Sequence, residues 1–214
     1  MSNLCGIFGS NDKRTFAELA KKNASRGDFA SGFLSIFDNG LRTHKQSGVF
    51  EESSIPNDAK YYLGHVRAPT NSTLEYKSNE THPFSLKDAY YWAHNGILSK
   101  NGYDSLEVDS KLIGILYAVH KGNWAFVLPE LNGTYGIWLY DTYNQKIYLT
   151  RGDNTLYYSD YAKSFSSCLG FANDIKLLGN NEVWETSLDL IDFKRSDVIV
   201  EGKKQKYFIP TKHE

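Results

Sequence analysis

The chain has 214 residues, enough for one sizeable core, and no composition shift or long Gly/Ser/Pro stretch divides it into two domains. Its 24 Lys and Arg stand against 25 Asp and Glu, so a net charge of −1 supplies no electrostatic pull toward nucleic acid or an anionic membrane. No apolar run approaches the roughly 20 residues of a membrane span, and two cysteines with no CxxC and no secretory leader point to a reducing, cytoplasmic setting. The 15 Tyr, 12 Phe and 4 Trp favour a sheet-rich core. The first element is Cys5-Gly6-Ile7-Phe8-Gly9, a short apolar run between glycines that reads as a buried strand. Ser10-Asn11-Asp12 offers helix caps, and Phe16, Leu19 and Ala20 recur on one face of a helix that ends near Ser25-Arg26-Gly27.

Phe33 to Phe37 is a strand, Asp38-Asn39-Gly40 a hairpin turn, and residues 42–48 the return strand. Tyr61 to Arg67 is a further strand that stops at Pro69, and a long polar loop runs from Thr70 to Glu80. Ala89 to His94 is an aromatic strand followed by a turn at Asn95-Gly96. Asp109 or Ser110 caps a helix from Lys111 to His120 that is apolar on most sides. Tyr135 to Tyr140 and Lys146 to Thr150 form a second hairpin around Asp141 to Gln145. Ser164 to Ala172 and Asp189 to Val200 are strand-like, and the basic stretch Lys203 to Lys212 is a solvated face or edge strand. This order predicts antiparallel sheets with helices packed outside them.

Four features carry chemistry. Cys5 is either a small apolar core residue or, once Met1 to Leu4 are removed, a nucleophile whose own α-amine, with a pKa of about 7.7–8.0, is its base. Arg67, at a strand end beside a proline kink, suits a two-bond grip on a carboxylate. Asn95 and Gly96 supply a side-chain amide next to a backbone N–H, the equipment of an oxyanion hole. Asp109 offers a carboxylate to an ammonium. Taken one at a time these are a surface ion pair, an ordinary turn and an N-cap; together with Cys5 they describe a receptor for an α-amino acid. His65, His82 and His94 lack the close spacing of a metal motif, so neither a metal nor another cofactor is expected. Cys168 falls in a strand-like stretch apart from these motifs.

In this pattern the chain resembles the glutaminase domain of class II glutamine amidotransferases, members of the N-terminal-nucleophile hydrolase superfamily. Cys5-Gly6-Ile7-Phe8-Gly9 resembles the nucleophile strand. Arg26-Gly27 with Gly32 resembles the RG-x-D-x-x-G turn, although Phe29 stands at the aspartate position and Asp28 lies one place early. Gly64-His65-Val66-Arg67 with Thr70 resembles the GHxR-x-x-T loop, His94-Asn95-Gly96 the HNG turn, and Asp109-Ser110 the acidic helix start. Leu131 to Tyr135, Thr150-Arg151-Gly152 and Leu156-Tyr157-Tyr158 resemble the strands that follow. Asn71 replaces the histidine, and Ala68 the aromatic residue, of some branches.

The resemblance implies an α+β, four-layer αββα sandwich, with a short leader at residues 1–4 and a single domain over residues 5–214. It implies Cys5 as nucleophile, Asn95 and the Gly96 N–H as oxyanion donors, Arg67 and Asp109 as partners of the glutamine α-carboxylate and α-amine, Thr70 as a further substrate contact, and Arg26 near the nucleophile. Glutamine would be hydrolysed to glutamate and ammonia through a cysteinyl thioester. Exposing the Cys5 amine requires cleavage after Leu4 or translation from position 4. The ammonia goes to a separate synthase subunit, or the chain works alone as an amide hydrolase. A different class of function also fits: a silent relative that binds glutamine or another metabolite and regulates a partner.

Overall fold

The apolar runs of this sequence are buried on both faces of their strands, because two sheets pack against each other and each also carries helices on its outer side. A computed structural model describes residues 5–68, 75–100, 102–188, 192–198 and 200. The leader at residues 1–4, Thr70, part of the 189–200 run and the basic stretch at 203–212 lie outside these described residues.

The first sheet contains β1 (Cys5–Ser10), β2 (Ala30–Phe37), β3 (Gly40–Ser47), β4 (Tyr61–Arg67), β9 (Tyr157–Ser159), β10 (Ser164–Ser166) and β11 (Lys176–Leu177) in the order β11-β9-β10-β1-β4-β2-β3. The second contains β5 (Phe84–Leu86), β6 (Tyr90–Leu98), β7 (Gly133–Asp141), β8 (Lys146–Gly152), β12 (Val183–Ser187) and β13 (Lys194–Arg195) in the order β13-β12-β8-β7-β6-β5. The paired strands are antiparallel. Helix α1 (Lys13–Ala24) covers the outside of the first sheet, while α2 (Lys111–Val119) and α3 (Trp124–Glu130) cover the second.

Side chains alternate across each strand, and this divides the buried residues into three layers. Ile7, Leu34 and Leu63 meet Ala93, Trp138 and Leu149 between the sheets. Phe8, Phe33 and Tyr62 face Phe16, Leu19 and Ala20 of α1. Trp92, Ile137 and Leu139 face Leu112, Leu116, Trp124 and Val127 of α2 and α3. The expected α+β, four-layer αββα sandwich is therefore the observed one. Two side-chain bonds cross between the sheets near the same end: Trp138 Nε1 donates to Gly64 O at 3.0 Å, and His65 Nε2 to His94 O at 3.2 Å.

The first helix starts as expected, with the Asp12 carboxylate accepting from Thr15 N at 2.7 Å. Elsewhere several boundaries differ from the sequence reading. Asn95-Gly96 is not a turn: β6 runs through it to Leu98 in register with β7. Gly96 has φ +140°, and a Cβ there would stand 2.0 Å from Thr134 O, so only glycine keeps the strand paired at this point. Ser110 occupies the cap position of α2 without a side-chain cap bond, and the Asp109 carboxylate instead accepts from Leu98 N at 2.8 Å. The run from Ser164 is a strand only to Ser166, and of the 189–200 run only Lys194–Arg195 is strand among the described residues. β5, β12 and α3, which carries Pro129 inside it, were not expected.

Candidate active site

Cys5 begins a central strand, and the residues around it come from both sheets. Its antiparallel register partner is Arg67 at the end of β4. The thiol is 8% exposed. Burial pushes the thiol up from its ordinary range; the backbone N–H of Ala68 and the charges of Arg67 and Arg26 pull the other way, and Asp109 adds to the rise. Arg26, in the turn after α1, donates from Nε to Cys5 O at 2.8 Å and from Nη1 to Ser167 O at 3.4 Å.

An open cavity of about 310 Å³ lies over the thiol, and its lining includes Cys5, Arg67, His82, Gly96, Lys100 and Asp109. Arg67 donates from Nη1 to Glu80 O at 2.8 Å, which ties the end of β4 to the chain entering β5. Asp109 Oδ2 holds Leu98 N, and Oδ1 accepts from Ser110 Oγ at 3.4 Å. A carboxylate has about four lone-pair sites, so Asp109 keeps capacity for a ligand. Lys100 donates from Nζ to Leu106 O at 2.6 Å across the cavity's rim.

Asn95 is fully buried on β6. Its Nδ2 donates to Ser167 Oγ at 3.4 Å and Asn154 Oδ1 at 3.5 Å, both long, and its Oδ1 has no partner. Ser167 Oγ also accepts from Ile7 N at 3.1 Å, and Ser167 N donates to Ile7 O at 2.9 Å. One hydroxyl thus touches β1 of the first sheet and the Asn95 amide of the second.

At the cavity, whose lining includes His82 and His94, the three histidines that the sequence separates come together. The rings of His65 and His82 are 3.9 Å apart, and His94 Nδ1 meets Ser110 Oγ at 2.9 Å. Burial is the main force lowering each of them: His65 falls to about 3, His82 well below its ordinary range, and His94 falls against the opposing pull of Asp109. They are neutral imidazoles at physiological pH. Among the described residues no group of three or more His, Cys, Asp or Glu has the arrangement to hold a metal ion.

Of the residues singled out in the sequence, Cys5, Arg67, Gly96 and Asp109 line one cavity, Arg26 and Asn95 stand directly beside it, and Thr70 lies outside the described residues. Cys168 is a correction. It is not remote from the site, because the charge of Arg26, the residue that holds Cys5 O, acts on its thiol, whose Sγ donates to Lys22 O at 4.0 Å. Its neighbour Ser167, together with Asn154, was missed. Both sit just beyond stretches with recognisable spacing, and serines and asparagines in loops give no period to read.

No protein-family model matches the chain, and no curated protein matches it in sequence. Among solved structures it is similar to the glutamine phosphoribosylpyrophosphate amidotransferase of B. subtilis complexed with ADP and GMP, at 18% identity and TM-score 0.67 over 90% of this chain and 49% of that one. The allosteric regulatory enzyme of purine biosynthesis gives 16% identity and TM-score 0.65 over 90% and 48%. A glutamine aminotransferase class-II domain protein of Silicibacter pomeroyi gives 12% and 0.50 over 90% and 98%. The chain spans about half the length of the first two. At these identities the likeness is one of fold: the chain has the fold of class II glutamine amidotransferase domains, two antiparallel sheets between helical layers.

Proposed function

We propose that the chain is a class II glutamine amidotransferase domain whose Cys5 hydrolyses the side-chain amide of glutamine to glutamate and ammonia. The observation that carries this reading is the single 310 Å³ cavity in which Cys5, Arg67, Gly96 and Asp109, drawn from four separate segments, meet. A buried thiol between a guanidinium and a carboxylate suits an amino-acid zwitterion.

With the Cys5 amine exposed, the amine takes the thiol proton and the sulfur attacks the glutamine amide carbon. Asn95 Nδ2 and Gly96 N–H donate to the oxyanion. The ammonium returns a proton to the departing nitrogen, ammonia leaves, and water hydrolyses the thioester with the same amine as base. Arg67 binds the α-carboxylate, Asp109 the α-ammonium and Thr70 the amino-acid end, while Arg26 fixes the Cys5 carbonyl. No cofactor enters this sequence of steps. The ammonia passes to a separate synthase subunit. No helix among the described residues is long and apolar enough to cross a membrane, which is compatible with work in the cytoplasm.

The test pairs intact mass with ammonia release from glutamine. Protein whose mass begins at Cys5 releases ammonia and glutamate in equal amounts, and Cys5→Ala does not. A protein of verified amino terminus that binds glutamine without turnover overturns the enzyme reading in favour of a regulatory binder.

A further inference from the structure

The loop between β8 and β9 reaches across the second sheet to the residue read above as oxyanion donor. Asn154 Nδ2 donates to Asn95 O at 2.8 Å, and Asn154 Oδ1 accepts from Asn95 Nδ2 at 3.5 Å. One amide therefore grips both the backbone and the side chain of Asn95. Its own orientation is fixed independently, because Oδ1 also accepts from Thr155 N at 2.9 Å, which an amide turned the other way could not do.

The loop is held on both sides. Arg151 Nη1 donates to Asn154 O at 2.7 Å, and Asp153 N donates to Asn180 Oδ1 at 3.1 Å. Thr155 Oγ1 donates to Ser167 O at 2.9 Å. Gly136 of β7 is the residue between: Asn95 and Arg151 are its register partners on either side, and Thr155 O would lie only 3.7 Å, an ordinary contact distance, from a Cβ placed on it. Asn95 sits on the second sheet and Cys5 on the first, so the angle at which the Asn95 amide meets the thiol depends on such bridging contacts.

We propose that Asn154 is a positioning residue, which holds the Asn95 amide in the plane that an oxyanion on the Cys5 adduct requires. This inference rests on the glutaminase reading, and it assigns Asn154 no contact with substrate. Donor placement matters steeply in catalysis, since a 1 Å error costs about 10²-fold. Substrate affinity, which the glutaminase reading gives to Arg67 and Asp109, should be unaffected.

The experiment uses the full chain with Cys5 exposed. Ammonia release by the wild type tests the glutaminase reading alone. In the active enzyme Asn154→Ala lowers kcat roughly 10- to 100-fold while KM stays within about twofold. Unchanged kcat in Asn154→Ala, or a change confined to KM, overturns the proposal and leaves the glutaminase reading standing. A second readout needs no turnover. The Asn95 side-chain amide, identified in ¹⁵N-labelled protein by its loss in Asn95→Ala, shifts in Asn154→Ala; a signal that does not move overturns the proposal in active and silent protein alike.

Discussion

Cys5 and Arg67 face each other in the antiparallel register of β1 and β4. Register partners have Cα atoms about 4.5–5.5 Å apart and side chains on the same face, so sheet pairing, with no loop intervening, brings a guanidinium beside the thiol. The thiol itself is pushed up by burial, and Arg67 and Arg26 offset part of that rise. A base is therefore needed before the sulfur can attack at neutral pH.

Cys5→Ala should abolish ammonia release and keep the fold, since a small side chain replaces a small one at a strand end. Cys168→Ala removes a long contact to Lys22 O and should leave turnover nearly unchanged, because the Arg26 bond to Cys5 O does not depend on it. Loss of activity in the Cys168 variant with survival of the Cys5 variant, measured on the same ammonia assay, would reverse the assignment of the nucleophile.

Arg67→Lys should act on KM. The guanidinium already gives Nη1 to Glu80 O, and a lysine cannot serve that carbonyl and grip a carboxylate with a planar fork. A charged hydrogen bond lost on binding is worth about 1.5–3 kcal/mol, roughly a tenfold or greater rise in KM. Steady-state kinetics in which kcat falls and KM holds would remove Arg67 from the carboxylate role.

Asn95→Ala should act on kcat, by the roughly 10²–10³-fold that follows loss of one oxyanion donor. The change also removes the buried Oδ1 that has no partner, so stability should fall little. Gly96→Ala is different in kind, because its Cβ meets Thr134 O in the β6–β7 pairing; thermal unfolding should show a destabilised protein before any kinetic reading is made.

The strands were legible because their apolar runs serve two cores at once, as in Tyr61 to Val66, where Leu63 and Tyr62 enter opposite layers. Cys5, Arg67 and Gly96, which the fold brings to one cavity, were legible as local motifs. What escaped depends on partners distant in sequence. Asn95-Gly96 has turn composition, yet the positive φ of Gly96 is used inside a strand, under the tertiary demand of Thr134. Asp109 has N-cap composition, and its carboxylate is spent on Leu98 N of β6. β12 pairs with β8 across a polar sequence, Val183 to Ser187, whose alternation is too weak to read alone. The histidines lie 12 to 29 positions apart along the chain and meet only when β4 and β6 stack from opposite sheets.

Their burial predicts a pH dependence of stability. A histidine held neutral in the folded state binds its proton more readily when unfolded, so stability is full above the ordinary value of 6.5 and is lost as pH falls toward the folded value, about 3 for His65. His82 and His94 are lowered in the same direction. Unfolding by denaturant between these limits should take up to about three protons from this cluster. His82→Phe, measured against the wild type to cancel the carboxylates that titrate in the same window, should reduce the slope by about one proton. An unchanged slope would mean that His82 is protonated in the folded protein.

The last prediction concerns the amino terminus. While Leu4 is joined to Cys5, the Cys5 nitrogen is an amide and cannot accept the thiol proton. Both histidines that line the cavity, His82 and His94, are driven down by burial, which makes them weaker proton acceptors. Either cleavage before Cys5 or translation from position 4 would create the α-amine, with a pKa of about 7.7–8.0 suited to the task. A chain beginning Met-Cys-Gly-Ile-Phe-Gly, processed by ordinary methionine removal, should therefore release ammonia from glutamine at least about tenfold faster than a chain that retains residues 1–4, because a missing general base costs about 10²–10⁴. Intact mass fixes the amino terminus of each sample and the ammonia assay compares them. Equal rates from two different verified termini would end the free-amine mechanism, and equal silence would leave a site that binds an amino acid and reports it to a partner.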